Sequence, residues 1–128
     1  MTFKNLPFKT FITNIKQDTI NNQHYRKVID TGSKLQLVLM SLAPSQEIGT
    51  EVHPQTDQFF RIEQGIALAV VNGVSYRLGR NDVLVVHAGF QHNIINRSRT
   101  RPLKFYTIYA PPNHSAQCVQ RDALSPHC

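Results

Sequence analysis

At 128 residues the chain has room for one domain with its own core and little space for a second. Its apolar share of 41% is that of a globular protein rather than a disordered one. No apolar run reaches the roughly 20 residues that span a bilayer, and Met1 to Pro7 lacks the charged start and apolar core of a signal peptide, so a cytosolic chain with no membrane partner is expected. The formal charge of +6 raises the question of nucleic acid. The basic residues are scattered, however (Lys4, Lys9, Lys16, Arg26, Lys27, Lys34), and the one tight group, Arg97, Arg99 and Arg101, sits in a turn-like Ser/Arg/Thr/Pro segment. No nucleic-acid-reading signature accompanies it, and the positive field suits an anionic small molecule better.

The N-terminal stretch has three readings. Phe3, Phe8, Phe11, Ile12 and Ile15 suit an edge strand, a short helix, or an arm packing on a partner subunit. Asn21-Asn22 reads as a turn. From Leu35 onward, short runs of strand-forming residues alternate with turn signals, the pattern of an all-β barrel or sandwich. Leu35 to Leu42 is the first such run, broken by Ala43 to Gly49. Thr50 to His53 alternates, Pro54 to Asp57 turns, and Gln58 to Glu63 is strand again. Ile66 to Val71 and Val74 to Leu78 flank Asn72-Gly73, and both turn residues tolerate the positive φ of a type I′ hairpin. Val83 to His87, Gln91 to Asn96 and Leu103 to Tyr109 complete the series, which Pro111-Pro112 ends. Gly49, Gly65, Gly79 and Gly89 read as turn glycines. Residues 1–34 are thus an arm or edge segment, 35–112 the barrel and 113–128 a polar tail. That tail carries both cysteines, Cys118 and Cys128, which read as free thiols in a reducing compartment, with a disulfide closing the tail as the alternative in an exported protein.

The chemistry-bearing residues fall on separate strands. Glu51 and His53 are two apart, so on a strand both side chains leave the same face. His92 comes from a second strand and Gln58 opens a third. Side chains converging from several strands onto one inward face can hold a single ion. By parity Phe60 and Ile62 share the face of Gln58, and Ile94 and Asn96 that of His92. Phe60, Met40 and Asn96 are therefore candidate substrate-pocket residues, although a core role explains the apolar ones equally well. Asp57 alternates away from Gln58, and His24, His114 and His127 read as surface residues.

The order of these features resembles the cupin superfamily. Its first motif ends on Gly65; counting back places Gln58 at the usual glutamate and Glu51 and His53 at the usual HxH pair. Its second motif opens at Gly79, carries His87-Ala88-Gly89 in the PxG slot, and puts His92 and Asn96 in register. The likeness covers roughly Leu35 to Tyr109. Tyr25 to Gly32, Gln36 to Leu42, Glu47 to His53, Asp57 to Glu63 and Tyr106 to Pro112 are similar to a narrower group of small cupins, labelled mannose-6-phosphate-isomerase-like, whose ligand pattern resembles ExH…Q…H.

The resemblance implies a single-domain cupin β-barrel (jelly roll) that works as a homodimer. It also implies one divalent transition metal on Glu51, His53, Gln58 and His92. A mixed nitrogen and oxygen shell suits Zn, Fe, Mn or Ni better than Ca or Mg. The expected activity is metal-dependent chemistry of isomerase, dioxygenase or lyase type on a small polar or anionic metabolite. The alternative is a non-catalytic metal- and metabolite-binding module. His87 departs from the usual proline; it is the candidate catalytic acid or base at the barrel mouth, or simply a strand-end residue.

Overall fold

Alternating apolar residues, cut at short intervals by turns, give ten strands and one short helix in the computed structural model, which describes residues 10–125. The helix α1 (Ile15–Asn21) is N-capped by Asn14, whose side chain accepts from the Gln17 amide. Seven residues are too few for a helix to hold alone, so tertiary contacts must fasten it. The Lys104 ammonium does this by donating to the Ile20 and Asn22 carbonyls, at 2.8 Å each. Of Phe11, Ile12 and Ile15 in the N-terminal stretch, only Ile15 lies in this helix; Phe11 and Ile12 precede it, exposed, and Phe3 and Phe8 lie outside the described residues.

The strands are β1 (Arg26–Thr31), β2 (Gln36–Leu42), β3 (Glu51–Val52), β4 (Asp57–Gln64), β5 (Ala67–Val71), β6 (Val74–Leu78), β7 (Val83–Val86), β8 (Gln91–Asn96), β9 (Leu103–Ala110) and β10 (Val119–Gln120). They form a six-stranded sheet, β10-β1-β2-β9-β4-β7, facing a four-stranded one, β3-β8-β5-β6, with every pairing antiparallel. The inner faces meet in a core of Val38, Met40, Leu42, Phe60, Ile62, Ala67, Ala69, Ile94, Leu103 and Phe105. Burying that apolar surface is the main drive for closing one sheet on the other.

The Asn72-Gly73 hairpin forms as expected, with φ of 48° and 82°. Gly65 needs its φ of +91°, and a Cβ there would lie 2.8 Å from the Pro102 carbonyl oxygen. Two strands fall outside residues 35–112. β1 carries Arg26, Lys27 and Asp30, which mask the alternation that announces a strand, and β10 is only two residues long. The reading of Cys118 as a free thiol is corrected: its sulfur is disulfide-bonded and the residue is buried, while Cys128 lies outside the described residues.

Candidate functional site

Cross-strand register places one polar row across the six-stranded sheet. Gln36 of β2 faces Tyr109 of β9, and Tyr109 faces Gln58 of β4. On the opposing sheet Glu51 of β3 faces His92 of β8. His53 follows β3 immediately, its ring 5.2 Å from that of His92 and 5.8 Å from that of Tyr109. Strand parity therefore brings Glu51, His53, Gln58 and His92 to one end of the barrel interior.

Their hydrogen bonds leave donor atoms free. The Gln58 amide nitrogen donates to Thr107 Oγ1 at 2.9 Å, which fixes the group and leaves Oε1 buried with no partner. His53 Nε2 is likewise buried and unpartnered. Its nearest acidic atom, Glu51 Oε2, stands 3.7 Å away, too far for a hydrogen bond. His92 Nδ1 lies 3.0 Å from the Phe90 carbonyl, an arrangement that protonates Nδ1 and leaves Nε2 with its lone pair.

Burial lowers the His53 pKa below its ordinary value; the Glu51 charge opposes this, while His92 and Arg26 reinforce it. The ring is therefore neutral at pH 7, in the form that ligates. Glu51 is the outlying member, with 31% of its side chain exposed. Among the described residues no three His, Cys, Asp or Glu side chains stand close enough to form a metal cluster by themselves. The donor set becomes adequate only with the Gln58 amide oxygen. Two orphaned inward atoms and a freed imidazole nitrogen are the pattern that a bound ion or polar ligand completes, and the mixed nitrogen and oxygen chemistry of these donors is compatible with one divalent transition metal.

The other expected residues are distributed differently. Phe60 is 1% exposed, with its ring 6.1 Å from that of His92 and 5.9 Å from that of Phe105, so it forms the site's apolar floor. Met40 is buried in the core, facing Phe105 across the sheet. Asn96 lies at the opposite end of the interior. Its Nδ2 donates to the carbonyls of Leu42, Ala43 and Arg101, and its Oδ1 accepts from the Ser98 amide, which commits it to holding the chain together. His87 is exposed after β7, stacked on Phe90 at 5.3 Å, and is not brought to the inner row.

Tyr109, His114, Arg26 and Gln36 were missed at the sequence level. Tyr109 is 2% exposed, and burial raises its pKa well above the usual phenol value although Arg26 lowers it. His114 Nε2 lies 3.2 Å from the Tyr109 hydroxyl, so this histidine is half-buried rather than a surface residue. Gln36 positions it: its Oε1 accepts from the Asn113 and His114 amides, and its Nε2 donates to the His114 carbonyl. Parity was the available signal, since Tyr109 alternates with Phe105 and Thr107, and Arg26 with Val28.

Two facing antiparallel sheets with a polar, histidine-lined mouth define a small β-barrel of the jelly-roll class. The Cupin domain family matches residues 38–109, and the chain belongs to that family. It is 43% identical over 109 residues to an uncharacterized protein of Acanthamoeba polyphaga mimivirus, covering 83% of this chain and 68% of that one. It is 45% identical over 112 residues to the uncharacterized protein YrkC of Bacillus subtilis (strain 168), covering 83% of this chain but only 60% of YrkC. Among solved structures it is similar to BH2720 from Bacillus halodurans, with a TM-score of 0.86 and 34% identity over 94% of this chain and 93% of that one.

Proposed function

We propose that this chain is a metal-dependent cupin enzyme that acts on a small polar or anionic organic metabolite, with Glu51, His53, Gln58 and His92 holding one divalent transition metal. The observation that carries the reading is the pair of buried, unpartnered atoms His53 Nε2 and Gln58 Oε1 beside an imidazole whose Nδ1 is already engaged. When bound, the ion would supply Lewis-acid polarisation of a substrate oxygen, or a site for dioxygen if it is iron. The chain's own residues do the rest. Phe60 closes the floor against water. Tyr109, kept protonated by burial, donates a hydrogen bond or a proton from its hydroxyl, and His114 connects that hydroxyl towards the surface. The narrower likeness to mannose-6-phosphate-isomerase-like cupins keeps isomerase chemistry within this reading, beside dioxygenase and lyase types. His87 stays a candidate acid or base only at the rim.

A non-catalytic binding module is the second reading, and a specific observation favours it: among the described residues, His114 apart, the titratable groups beside the inner row are either proposed ligands or buried. Elemental analysis of protein purified without a nickel column, followed by turnover on a substrate panel, tests both. About one equivalent of Fe, Mn, Zn or Ni with turnover supports the enzyme; metal and tight ligand binding without turnover supports the module; no metal sinks the site assignment.

The same reading includes a homodimer. Val83 and Val85 on β7, with Val74 and Tyr76 on β6, expose apolar surface at the edges of both sheets, where a second copy would pack. A monomer by light scattering at micromolar concentration would remove this part. No helix among the described residues is long and apolar enough to cross a membrane. The expected cytosolic setting sits against the Cys118 disulfide, since reducing compartments keep thiols free.

A further inference from the structure

We propose that Arg26 and Tyr25 form a carboxylate-binding subsite beside the histidine pair, which selects a small hydroxy acid as the ligand of this barrel. Arg26 points inward from β1 and is 2% exposed. A guanidinium so deeply buried is costly unless an anion meets it. Among the described residues no carboxylate lies within ion-pair distance of it. Its Nη1 donates to Gln120 Oε1 at 2.6 Å, a neutral acceptor, and its Nε is buried with no partner at all. The Tyr25 ring lies 5.3 Å from the guanidinium carbon and holds it in place.

This group opens onto a cavity of about 280 Å³, whose polar lining comes from Tyr25, Arg26, Glu47, Thr50, Glu51 and Gln120. The cavity has two unlike walls. The six-stranded sheet and the residue leading into it contribute the guanidinium, the phenol and the Gln120 amide. The opposing wall contributes the two carboxylates: Glu47 accepts from Asn93 Nδ2 at 3.0 Å, and Glu51 stands 3.7 Å from His53 Nε2. A fully anionic molecule would meet repulsion on that second wall, and a neutral one would leave Arg26 unmet. A small carboxylate bearing hydroxyl groups answers both walls, with its acid on Arg26 and its hydroxyls donating towards Glu47 and Glu51. The volume, at the low end of small-molecule sites, limits it to a compact metabolite. Because Glu51 lies in both the cavity and the ligand row, the far end of such a molecule arrives beside the histidines. The proposal rests on the metal-site reading for where the substrate reacts, but recognition of its charge needs only Arg26.

The test titrates the full-length chain, before and after chelation, with glycerate and with its neutral amide, following binding by calorimetry. Glycerate is expected to bind at least about tenfold more tightly than the amide, in line with a charge-assisted Arg–carboxylate pair, and to keep that preference after chelation. Arg26→Gln should abolish the preference by weakening glycerate alone, with metal content unchanged. Equal affinity for acid and amide, a preference that survives in Arg26→Gln, or no glycerate binding at millimolar concentration would each overturn the subsite. Should Arg26→Gln fail to fold, the acid-to-amide ratio of the unmodified chain decides. A preparation that prefers glycerate but never holds metal would sink the metal site and leave the subsite standing.

Discussion

The two ends of the barrel interior are built by the same strands, and they treat their neutral polar side chains in opposite ways. At the closed end, Met40, Phe105 and Ile62 form an apolar row across β2, β9 and β4, and the buried Asn96 has its amide nitrogen and oxygen both engaged. Four residues along the same strands, the row becomes Gln36, Tyr109 and Gln58, with His53 Nε2 and Gln58 Oε1 buried and unmet. A buried polar atom without a partner costs about 1–3 kcal/mol, so His53 Nε2 and Gln58 Oε1 give the mouth a standing penalty that a ligand would relieve. On the other row the neutral Asn96 is saturated, and the unmet atoms belong to the charged Arg26 and Glu63.

Substitutions should separate the ends, and the largest contrast is in metal retention. His92→Ala or His53→Ala is expected to take bound metal from about one equivalent to nearly none while the far-UV circular dichroism keeps its β signature. Phe105→Ala, at the other end, should cost about 3–5 kcal/mol by denaturant titration, because a fully buried ring is removed, and leave the metal content of the folded fraction intact. Asn96→Ala should cost about 1–3 kcal/mol, since its carbonyl partners lose their donor, again without loss of metal. A destabilised Asn96→Ala that also lost metal would mean the two ends are not independent.

The pH dependence sharpens the same contrast. His53 has its pKa held below 6.5, chiefly by burial, so between that lowered value and 6.5 the unfolded chain binds more protons than the native one. The stability of metal-free protein should therefore be complete above pH 6.5 and fall as the pH drops through this window, with a slope of at most about 1.4 kcal/mol per unit for one proton. His53→Gln should flatten that slope, measured as the denaturation midpoint against pH. The smallest effect is expected from Gln58→Leu in metal-free protein. It removes the orphaned oxygen but strands Thr107 Oγ1, and the two should offset to within about 1 kcal/mol, whereas metal affinity should fall clearly.

The sequence by itself determined the strand ladder from Gln36 to Ala110, the Asn72-Gly73 hairpin, the family, and the inward sharing of Glu51, His53, Gln58 and His92. Each of these follows from a local signal, namely period-two alternation, turn chemistry or motif spacing. Only the tertiary structure decided which polar atoms are satisfied. Asn96 and His92 share a face and a strand, yet one is saturated by the 97–102 turn and the other keeps a free nitrogen. His87, in register with the motif, ends on the surface because Val86 takes the inward position beside it. Arg26 and His114 come from segments outside the expected barrel, and nothing local marks them as neighbours of His53 and Tyr109. Strand pairing across 94 residues sets Arg26 against Gln120, and long-range hydrogen bonds from Gln36 seat His114. Parity is a property of one strand and can be read along it; satisfaction belongs to all the strands together and exists only once the two sheets have closed.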